Sequence, residues 1–470
     1  MSDRLSYSTI LEKYGNSPDL NLREEIKKLL IQSSVKLVIL DDDPTGIQTV
    51  HGCLLLTNWR KETLRKAFED EAPFFYILTN SRSMDAGNAE IVNRQVIEEV
   101  LQVNADFKSK LIFISRSDST LRGHFPLEPD TIKAVLTEKD KKPSFPVFFV
   151  PAFFEAGRFT FENVHYLKNG DELIPVSKTE FARDNVFGYN NSDLSEYIVE
   201  KSGNSIKKEE IESVSIEELR KDSVDSITVK LSEAKQKRFI VVNALDYHDL
   251  QKFSLSFLKL ALSSDNPAIL RTSSSLPKAM SGIPDKELLT KSDLVKNNNP
   301  GIFIVGSHVQ KTTDQLAVLL KKNGTKGIEV DVQEVLNSPE KSLNQILESI
   351  GNIQSSGKTP VIFTSRKETR LDDKSEQLNL GKKISEFLVS IVTNLPSQPA
   401  WIVAKGGITS HDVLTEGLSI ESARVSGQII AGVPVIITGK EHRFPELPYI
   451  IFPGNVGDEN SLATVFDKLT

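Results

Sequence analysis

Cysteine is almost absent from this sequence, and histidine is sparse. The single cysteine, Cys53, cannot form an intramolecular disulfide bond or a thiolate metal cluster. The seven histidines are scattered, and no H-E-x-x-H pattern occurs. These absences exclude a disulfide-stapled fold, a cysteine-based zinc site and a zinc-peptidase type of centre.

Long apolar runs and an excess of basic residues are also missing. No apolar run approaches the ~20 residues of a membrane span. The charged start of the sequence lacks the apolar core of a signal peptide, so we expect a cytoplasmic protein. Lys and Arg number 57 against 64 Asp and Glu, which gives a net charge of −7. This balance disfavours broad binding of nucleic acid, although a few local arginines can still hold a phosphate.

Two common nucleotide-binding motifs are not present either. No G-x-G-x-x-G pattern occurs, which disfavours a standard dinucleotide fold. Gly351 and the later Gly357, Lys358 and Thr359 resemble a P-loop, but five residues separate the glycines where the motif has four. The stretch also precedes an apolar run instead of following one. We interpret it as an ordinary turn.

Short apolar runs rich in Val, Ile and Phe recur along the 470 residues. Runs of this kind are typical of buried parallel strands, and helical patterns such as 89–100 lie between them. Strand–helix alternation predicts an α/β fold. The predicted strands are 35–40, 74–78, 111–115, 147–150, 239–244, 268–270, 302–305, 327–332, 361–364, 401–404 and 433–438.

A polar, Asn-rich stretch at 291–300 separates two series of predicted strands. A chain of this length is too long for one ordinary core, so more than one domain is expected. We interpret the stretch as an interdomain linker. The predicted domains are residues 1–290 and 298–470.

Three successive aspartates, Asp41, Asp42 and Asp43, follow the first predicted strand. In open α/β sheets, ligands bind at the carboxyl ends of the strands. Three adjacent carboxylates suit a Mg²⁺ site or a base that accepts a proton from a hydroxyl. The alternative is a solvated acidic turn closed by Pro44 and Gly46.

The loops after the next predicted strands each carry at least one arginine. Guanidinium groups bind carboxylates bidentately, so arginines that converge near the aspartates predict a pocket for a small hydroxy acid. The alternative is that they pair with the aspartates and only brace the loops. The residues are Arg82, Arg116, Asp118, Arg122 and Arg158.

Three loops in the second half combine glycine with the start of a helix. Glycine permits close approach of the backbone to a ligand, and free amides at a helix start can hold a phosphate. The alternative is a set of tight strand-to-helix turns. The loop residues are Gly306 and Ser307, then Gly406, Gly407 and Thr409, and finally Gly454, Asn455 and Gly457.

Taken in order, these motifs resemble those of the four-carbon acid sugar kinase family, which includes D-threonate, D-erythronate and 3-oxo-tetronate 4-kinases. The resemblance runs from about residue 35 to the C-terminus, and its most specific block is Asp118 to Gly123. It is carried by Asp42-Asp43-Pro44-Thr45-Gly46, Asp118-Ser119-Thr120-Leu121-Arg122-Gly123, Pro151-Ala152, Gly157-Arg158, Gly306-Ser307, Gly406-Gly407, Thr409, Gly432-Val433-Pro434, Gly454-Asn455 and Gly457.

The resemblance implies two Rossmann-like α/β domains with largely parallel sheets and an active site in the cleft between them. It implies an N-terminal sugar-acid-binding domain and a C-terminal nucleotide-binding domain. The expected reaction moves the γ-phosphate of ATP, with Mg²⁺, to a hydroxyl of a four-carbon sugar acid, with the terminal 4-hydroxyl as the expected acceptor. The expected partners are the acid and ATP, with a homodimer as a possible assembly, and neither nucleic acid nor a membrane.

The resemblance also implies how the site residues divide. Asp42 or Asp43 is expected to be the catalytic base, and Arg82, Arg116, Asp118, Arg122 and Arg158 are expected on the substrate side. The glycine loops with Ser307, Thr409 and Asn455 are expected on the ATP side.

Two other functions remain as alternatives. Ile408 stands where the family has an acidic residue, and such changes in the ATP-side loops keep open a non-catalytic sensor of a sugar acid or nucleotide. A metal-assisted hydrolase or aldolase that uses the three aspartates has no supporting His or Cys constellation.

Overall fold

A computed structural model describes residues 5–15, 21–140, 145–365 and 374–470 of the chain. The first four residues, which belong to the stretch compared with a signal peptide, lie outside this part. In the ranges described, none of the helices combines the length and the apolar character needed to cross a membrane.

The strands alternate with helices through most of the chain. The strands are β1 Val35–Asp41, β2 Leu54–Leu56, β3 Phe74–Leu78, β4 Lys110–Arg116, β5 Val147–Val150, β6 Arg158–Phe161, β7 Val164–Asn169, β8 Glu172–Pro175, β9 Ile211–Val214, β10 Phe239–Val242, β11 Ile269–Thr272, β12 Ile302–Val305, β13 Thr325–Val330, β14 Thr359–Thr364, β15 Ile402–Lys405, β16 Ser422–Ile430, β17 Val433–Thr438 and β18 Pro448–Phe452.

Most helices connect one strand to the next. They are α1 Tyr7–Tyr14, α2 Leu22–Ser33, α3 Lys61–Glu69, α4 Ala86–Phe107, α5 Leu127–Asp140, α6 Leu194–Lys201, α7 Ile216–Lys221, α8 Val224–Glu233, α9 Tyr247–Leu262, α10 Ser275–Ser281, α11 Lys291–Leu294, α12 Gln310–Leu319, α13 Val332–Asn337, α14 Pro339–Ser355, α15 Lys374–Thr393, α16 Gly407–Asp412 and α17 Ser461–Leu469.

The chain divides into two compact units, Met1–Asp285 and Lys286–Thr470. In the first unit the strand order is β2-β3-β1-β4-β11-β5-β10-β9, and each neighbouring pair is parallel. A small antiparallel sheet, β6-β7-β8, lies outside that order. Parallel pairing brings the carboxyl ends of β1, β3, β4 and β11 to one edge.

In the second unit the strand order is β13-β14-β12-β15-β18-β17-β16. The first five strands are parallel, and β17 and β16 extend the sheet as an antiparallel hairpin. The α/β class with largely parallel sheets is therefore confirmed. The carboxyl ends of β12, β15 and β18 lie side by side.

The apolar runs became strands because both of their faces are covered. Every residue of β3, β5, β12 and β15 is buried, as expected for strands that carry helices on both faces. β16 was not predicted, because its buried residues alternate with partly exposed ones and form no continuous apolar run. The short strands β2 and β6 to β9 were also not predicted, and neither was β18, although every residue of β18 is buried.

The segment 291–300, which the sequence predicted as a linker, begins with structure that belongs to the second unit. Thr290 caps α11, with its amide donating to Asp293 Oδ2 at 2.8 Å. Leu289 and Leu294 are 2% and 1% exposed, and they join the core of the second unit beside Trp401. Polar composition predicted a linker, but these two leucines anchor the segment.

Leu294→Ala tests this anchoring, with Leu288→Ala as the matched control because Leu288 is 42% exposed. We expect Leu294→Ala to lower the free energy of unfolding by about 2–5 kcal/mol, since a buried leucine loses its contacts and leaves a cavity. The control should change it by less than about 0.5 kcal/mol. Denaturant unfolding measures both, and equal effects would restore the linker interpretation.

Candidate functional site

The inner part of the first unit's site is a buried ion pair at the ends of β1 and β4. Arg116 Nη1 donates to Asp41 Oδ1 at 3.0 Å, and Nη2 donates to Ser274 Oγ at 2.9 Å. The Arg116 and Asp41 side chains are 4% and 1% exposed. The two side chains lie close together because Asp41 and Arg116 are paired positions of the parallel strands β1 and β4. Arg116 therefore braces the acidic loop and is not presented at the surface.

Asp42 lies in the same buried layer. Ser117 Oγ donates to Asp42 Oδ2 at 2.5 Å, and Arg116 and Arg82 lie 3.8 and 3.9 Å from Oδ1. Burial raises the pKa of Asp41 to about 7 and that of Asp42 to about 6, against the opposing effect of the arginines. A Cβ on Gly46 would lie 1.9 Å from Asp41 Oδ2, so only glycine fits beside this carboxylate.

A second buried pair, Arg271 with Glu128, supports the same layer. Arg271 Nη1 contacts Glu128 Oε2 and donates to Ser115 Oγ at 2.7 Å. Both charged side chains are less than 5% exposed. The sequence interpretation missed this pair. The sequence did contain a signal for it. Arg271 directly follows a predicted strand and begins a polar stretch, Arg-Thr-Ser-Ser, like the polar loops that follow the other predicted strands.

The outer layer is built around Arg82, which is 20% exposed. Arg82 Nη2 pairs with Asp43 Oδ2, and Nη1 lies 3.7 Å from Asp118 Oδ1. Although burial opposes ionisation, Arg82 and Arg122 hold the pKa of Asp118 well below its usual range. Burial also tends to raise the pKa of Asp43, but the charges of Arg82 and Arg116 outweigh it, and the pKa is lowered. Both carboxylates are therefore ionised and partly accessible.

Arg122 and Arg158 complete the outer layer. Arg122 Nε donates to Asp118 Oδ2 at 2.8 Å, its guanidinium lies 5.0 Å from the Phe181 ring centre, and Nη1 is 3.8 Å from Asp184. Burial lowers the pKa of Arg158. The charge of Asp118 raises this pKa, and the charge of Arg122 lowers it. Arg158 donates to the Ala156 carbonyl, and its buried Nε has no hydrogen-bond partner in the part of the chain described.

This outer layer can hold a small polar anion. Its arginines offer N–H groups, and its ionised carboxylates can accept hydrogen bonds from hydroxyls. The residues do not fit a protein-bound Mg²⁺ site, since Asp41 and Asp43 are occupied by arginines. Over the described ranges, no group of three or more His, Cys, Asp or Glu side chains could hold a metal ion.

The second unit brings its three glycine loops together at the ends of β12, β15 and β18. The Ser307 amide donates to the Lys405 carbonyl at 3.3 Å, and the Gly406 amide donates to Phe452 at 2.9 Å. A Cβ on Gly306 would lie 2.1 Å from Thr409 Oγ1. Gly406 has φ +119°, which an L side chain rarely adopts. Glycine is therefore required for this close approach of loops.

Lys405 lies buried beneath these loops and was not singled out from the sequence. Its Nζ donates to the carbonyls of Pro453 at 2.6 Å and Gly454 at 3.1 Å, and it lies 4.1 Å from the Phe452 ring centre. Burial and the nearby Lys311 lower the pKa of Lys405 to about 7. Lys311 Nζ in turn donates to the Asn455 carbonyl at 3.3 Å.

Side chains of α12 hold the last glycine loop in place. Gln315 Nε2 donates to the carbonyls of Val456 at 3.1 Å and Asp458 at 2.7 Å. Gly457 has φ +82°, and a Cβ there would lie 2.3 Å from Ser461 Oγ. Gly407 has open space around it, and Asn455 is exposed. Backbone amides at glycine loops, with two lysines nearby, form an arrangement that can hold phosphate groups.

The structure thus places the predicted residues in two clusters. The first-unit cluster contains Asp42, Asp43, Arg82, Arg116, Asp118, Arg122 and Arg158. The second-unit cluster contains Gly306, Ser307, Gly406, Gly407, Thr409, Gly454, Asn455 and Gly457. Their roles stay predictions.

Two family models match the chain in sequence order. A sugar-binding N-terminal domain matches residues 37–280, and a nucleotide-binding C-terminal domain matches residues 302–462. The chain belongs to the family in which these two domains follow one another. This pair of domains fits the four-carbon acid sugar kinases. No curated protein sequence matches the chain.

Several solved structures are similar to this chain. A Haemophilus influenzae protein is 16% identical with a TM-score of 0.66, and the match covers 92% of this chain and 100% of that one. A Salmonella typhimurium LT2 protein, provisionally described as a tRNA synthase, is 17% identical with a TM-score of 0.68, covering 92% and 98%. At these identities the likeness concerns the fold alone.

Arg116→Met tests the inner ion pair. We expect a loss of about 3–5 kcal/mol in the free energy of unfolding at pH 8, because Asp41 is buried without its partner and must either stay charged or take up a proton. The pKa of Asp41 is raised from 3.8 to about 7 in the folded protein, so its contribution to stability is present below pH 3.8 and is lost as pH rises through 7.

Removing Arg116 moves the pKa of Asp41 still higher, so the deficit of the variant should be larger at pH 8 than at pH 5. Urea unfolding at both pH values measures this difference, and Arg116→Met with Asp41→Asn should recover part of the loss. A deficit that is equal at both pH values would contradict the pairing.

Proposed function

We propose that this protein is an ATP-dependent kinase that phosphorylates a hydroxyl of a four-carbon sugar acid. The acid is of the threonate, erythronate or 3-oxo-tetronate type, and the acceptor is the terminal 4-hydroxyl. The observation that carries the proposal is the pair of clusters: ionised carboxylates with part-exposed arginines in the sugar-binding domain, and glycine loops over lysines in the nucleotide-binding domain.

In the first unit, Asp43 is the residue proposed to orient the acceptor hydroxyl. It is ionised, 20% exposed and fixed by Arg82, whereas Asp42 is 1% exposed and its pKa is raised. Phosphoryl transfer depends chiefly on positioning and charge stabilisation. A carboxylate of low basicity such as Asp43 is therefore adequate if it orients the acceptor hydroxyl. Arg122 and Arg158 are proposed to bind the carboxylate of the acid, since a guanidinium matches it bidentately.

In the second unit, amides of the three glycine loops other than those of Ser307 and Gly406, which already donate to carbonyls, are proposed to hold the phosphates of ATP. Lys311 and Lys405 supply positive charge beside them. Mg²⁺ enters with the nucleotide as part of the MgATP substrate.

A second candidate is a sensor that binds the acid or the nucleotide without turnover. The observation that favours it is Ile408, which is 71% exposed directly after Gly407, where the family has an acidic residue. The kinase and the sensor differ in turnover and not in binding.

ADP release over a panel of four-carbon sugar acids separates the two candidates. We expect turnover on at least one acid in the wild type. Asp43→Asn should lower kcat by roughly 10²–10⁴-fold, as for a lost general base, while calorimetry still detects binding of the acid. The control is Asp106→Asn, since Asp106 is an exposed residue paired with Arg65, and it should not change kcat. Binding without turnover in the wild type would identify a sensor.

Lys405→Met tests the nucleotide cluster. Charge-assisted hydrogen bonds contribute about 1.5–3 kcal/mol, so the affinity for ADP should fall roughly ten- to a hundred-fold. Since the pKa of Lys405 is about 7, the ratio of the two affinities should be larger at pH 6 than at pH 8.5, where the wild-type lysine is neutral. Calorimetry measures both, with the exposed Lys321→Met as control. An unchanged affinity at pH 6 would exclude Lys405 from the site.

A further inference from the structure

The loop between β4 and α5, residues 118–123, is held through its backbone in an unusual way. Three consecutive carbonyls each accept a hydrogen bond from a different side chain. His165 Nε2 donates to Ser119 at 2.8 Å, Tyr189 Oη donates to Thr120 at 2.7 Å, and Tyr197 Oη donates to Leu121 at 2.7 Å.

The three donors come from separate elements outside the main sheet. His165 lies on β7 of the small sheet, Tyr189 precedes α6, and Tyr197 lies on α6. Their side chains are 0%, 4% and 1% exposed. Because these donors are buried, water does not compete for the carbonyls, and a lost bond leaves a carbonyl unsatisfied.

The protonation state of His165 agrees with a donor role. Its Nδ1 lies 2.8 Å from Thr160 Oγ1, which can donate to it, so Nε2 carries the hydrogen that the Ser119 carbonyl accepts. Burial lowers the pKa of His165 to about 4, so the ring is neutral near pH 7. The interaction is therefore constant across the neutral range.

The backbone of the loop needs external support. Leu121 has φ +64° and Gly123 has φ +131°. A non-glycine residue in the left-handed region costs roughly 1–2 kcal/mol and persists when its surroundings impose it. A single backbone bond, from the Leu121 amide to the Asp118 carbonyl at 3.2 Å, lies within the turn itself. The Ser117 hydroxyl donates to the Arg122 carbonyl at 3.1 Å and Thr120 Oγ1 to the Asp118 carboxylate, and the three buried donors constrain the carbonyls of 119–121.

Asp118 and Arg122 stand at the two ends of this constrained turn. Arg122 Nε bonds Asp118, while neither Nη nitrogen donates a hydrogen bond to another residue in the described part of the chain. We propose that His165, Tyr189 and Tyr197 are positioning residues that set the Arg122 guanidinium for the carboxylate of the sugar acid. This inference rests on the proposed function, and none of the three touches the substrate.

The small sheet and α6 would then determine how the acid is recognised, without supplying the contact themselves. Loss of one donor leaves the charge of Arg122 in place but lets its turn relax. Such a change should raise the KM for the acid and leave the KM for ATP unaltered, because the glycine loops belong to the other unit.

Single-atom variants of the full-length protein test this proposal. Tyr189→Phe and Tyr197→Phe each remove one hydroxyl and keep the ring. Tyr76→Phe is the matched control, since Tyr76 is also buried and its hydroxyl has no hydrogen-bond partner among the described residues. We expect each test variant to raise the KM for D-threonate or D-erythronate about tenfold, and the double variant further, with the control at wild-type values.

Hydrogen exchange supplies a readout that needs no substrate. The amides of 119–123 should exchange about tenfold faster in the double variant than in the wild type or the Tyr76→Phe control, because the turn opens locally. Exchange in β1 and β4 should not change. A general loss of stability would instead accelerate exchange throughout the unit.

Two substitutions at His165 distinguish the effect of losing the N–H donor from the effect of losing the volume of the ring. Glutamine places an N–H near the position of Nε2, whereas leucine offers none. His165→Gln should therefore keep the KM for the acid within about threefold of the wild type, and His165→Leu should raise it about tenfold.

Each outcome decides one question. An unchanged KM for the acid together with wild-type exchange at 119–123 in the double variant overturns the positioning role, whatever the melting temperature. No turnover with any acid overturns the proposed function, and exchange alone then decides whether the three side chains hold the turn. A raised KM for the acid with localised exchange supports both.

Discussion

Charges buried beneath the carboxyl ends of β1, β4 and β11 constrain the rest of the first unit's site. Arg116 with Asp41 and Arg271 with Glu128 are paired at less than 5% exposure, where an unpaired ion costs several kcal/mol. Each pair joins neighbouring strand ends or the helix beside them. The outer carboxylates and arginines stand on loops that start from these fixed points, so their geometry follows from the pairing below.

The loops of the second unit are held in place by a different kind of contact. Its loops approach so closely that Gly306 and Gly457 have no room for a Cβ, and Lys405 binds main-chain carbonyls. Backbone contacts take the place of paired side-chain charges. This suits a site for phosphate groups, because main-chain amides carry no net charge that would need a partner when the site is empty.

The apolar runs predicted most of the parallel strands of both units, because a strand buried on both faces must be apolar throughout, but β2, β9 and β18 were missed. The polar loops after those runs located both clusters. Which arginine faces inward could not be predicted, since the sequence does not show that Arg116 is still part of β4 and paired with Asp41, whereas Arg82 lies four residues beyond the end of β3. Arg271 and Lys405 each directly follow a predicted strand, at residues 270 and 404, but the sequence does not show that both charged side chains are buried at the strand ends. The small sheet was missed because its strands are short and half exposed.

The near cancellation of charge in the outer layer has a kinetic consequence. Asp43 with Arg82, and Asp118 with Arg122, leave little net field to draw an anion from a distance. A small anion would reach such a surface by ordinary diffusion, at a rate that changes little with ionic strength. Discrimination would then arise on contact, through the arrangement of donors and acceptors, and would appear in the dissociation rate.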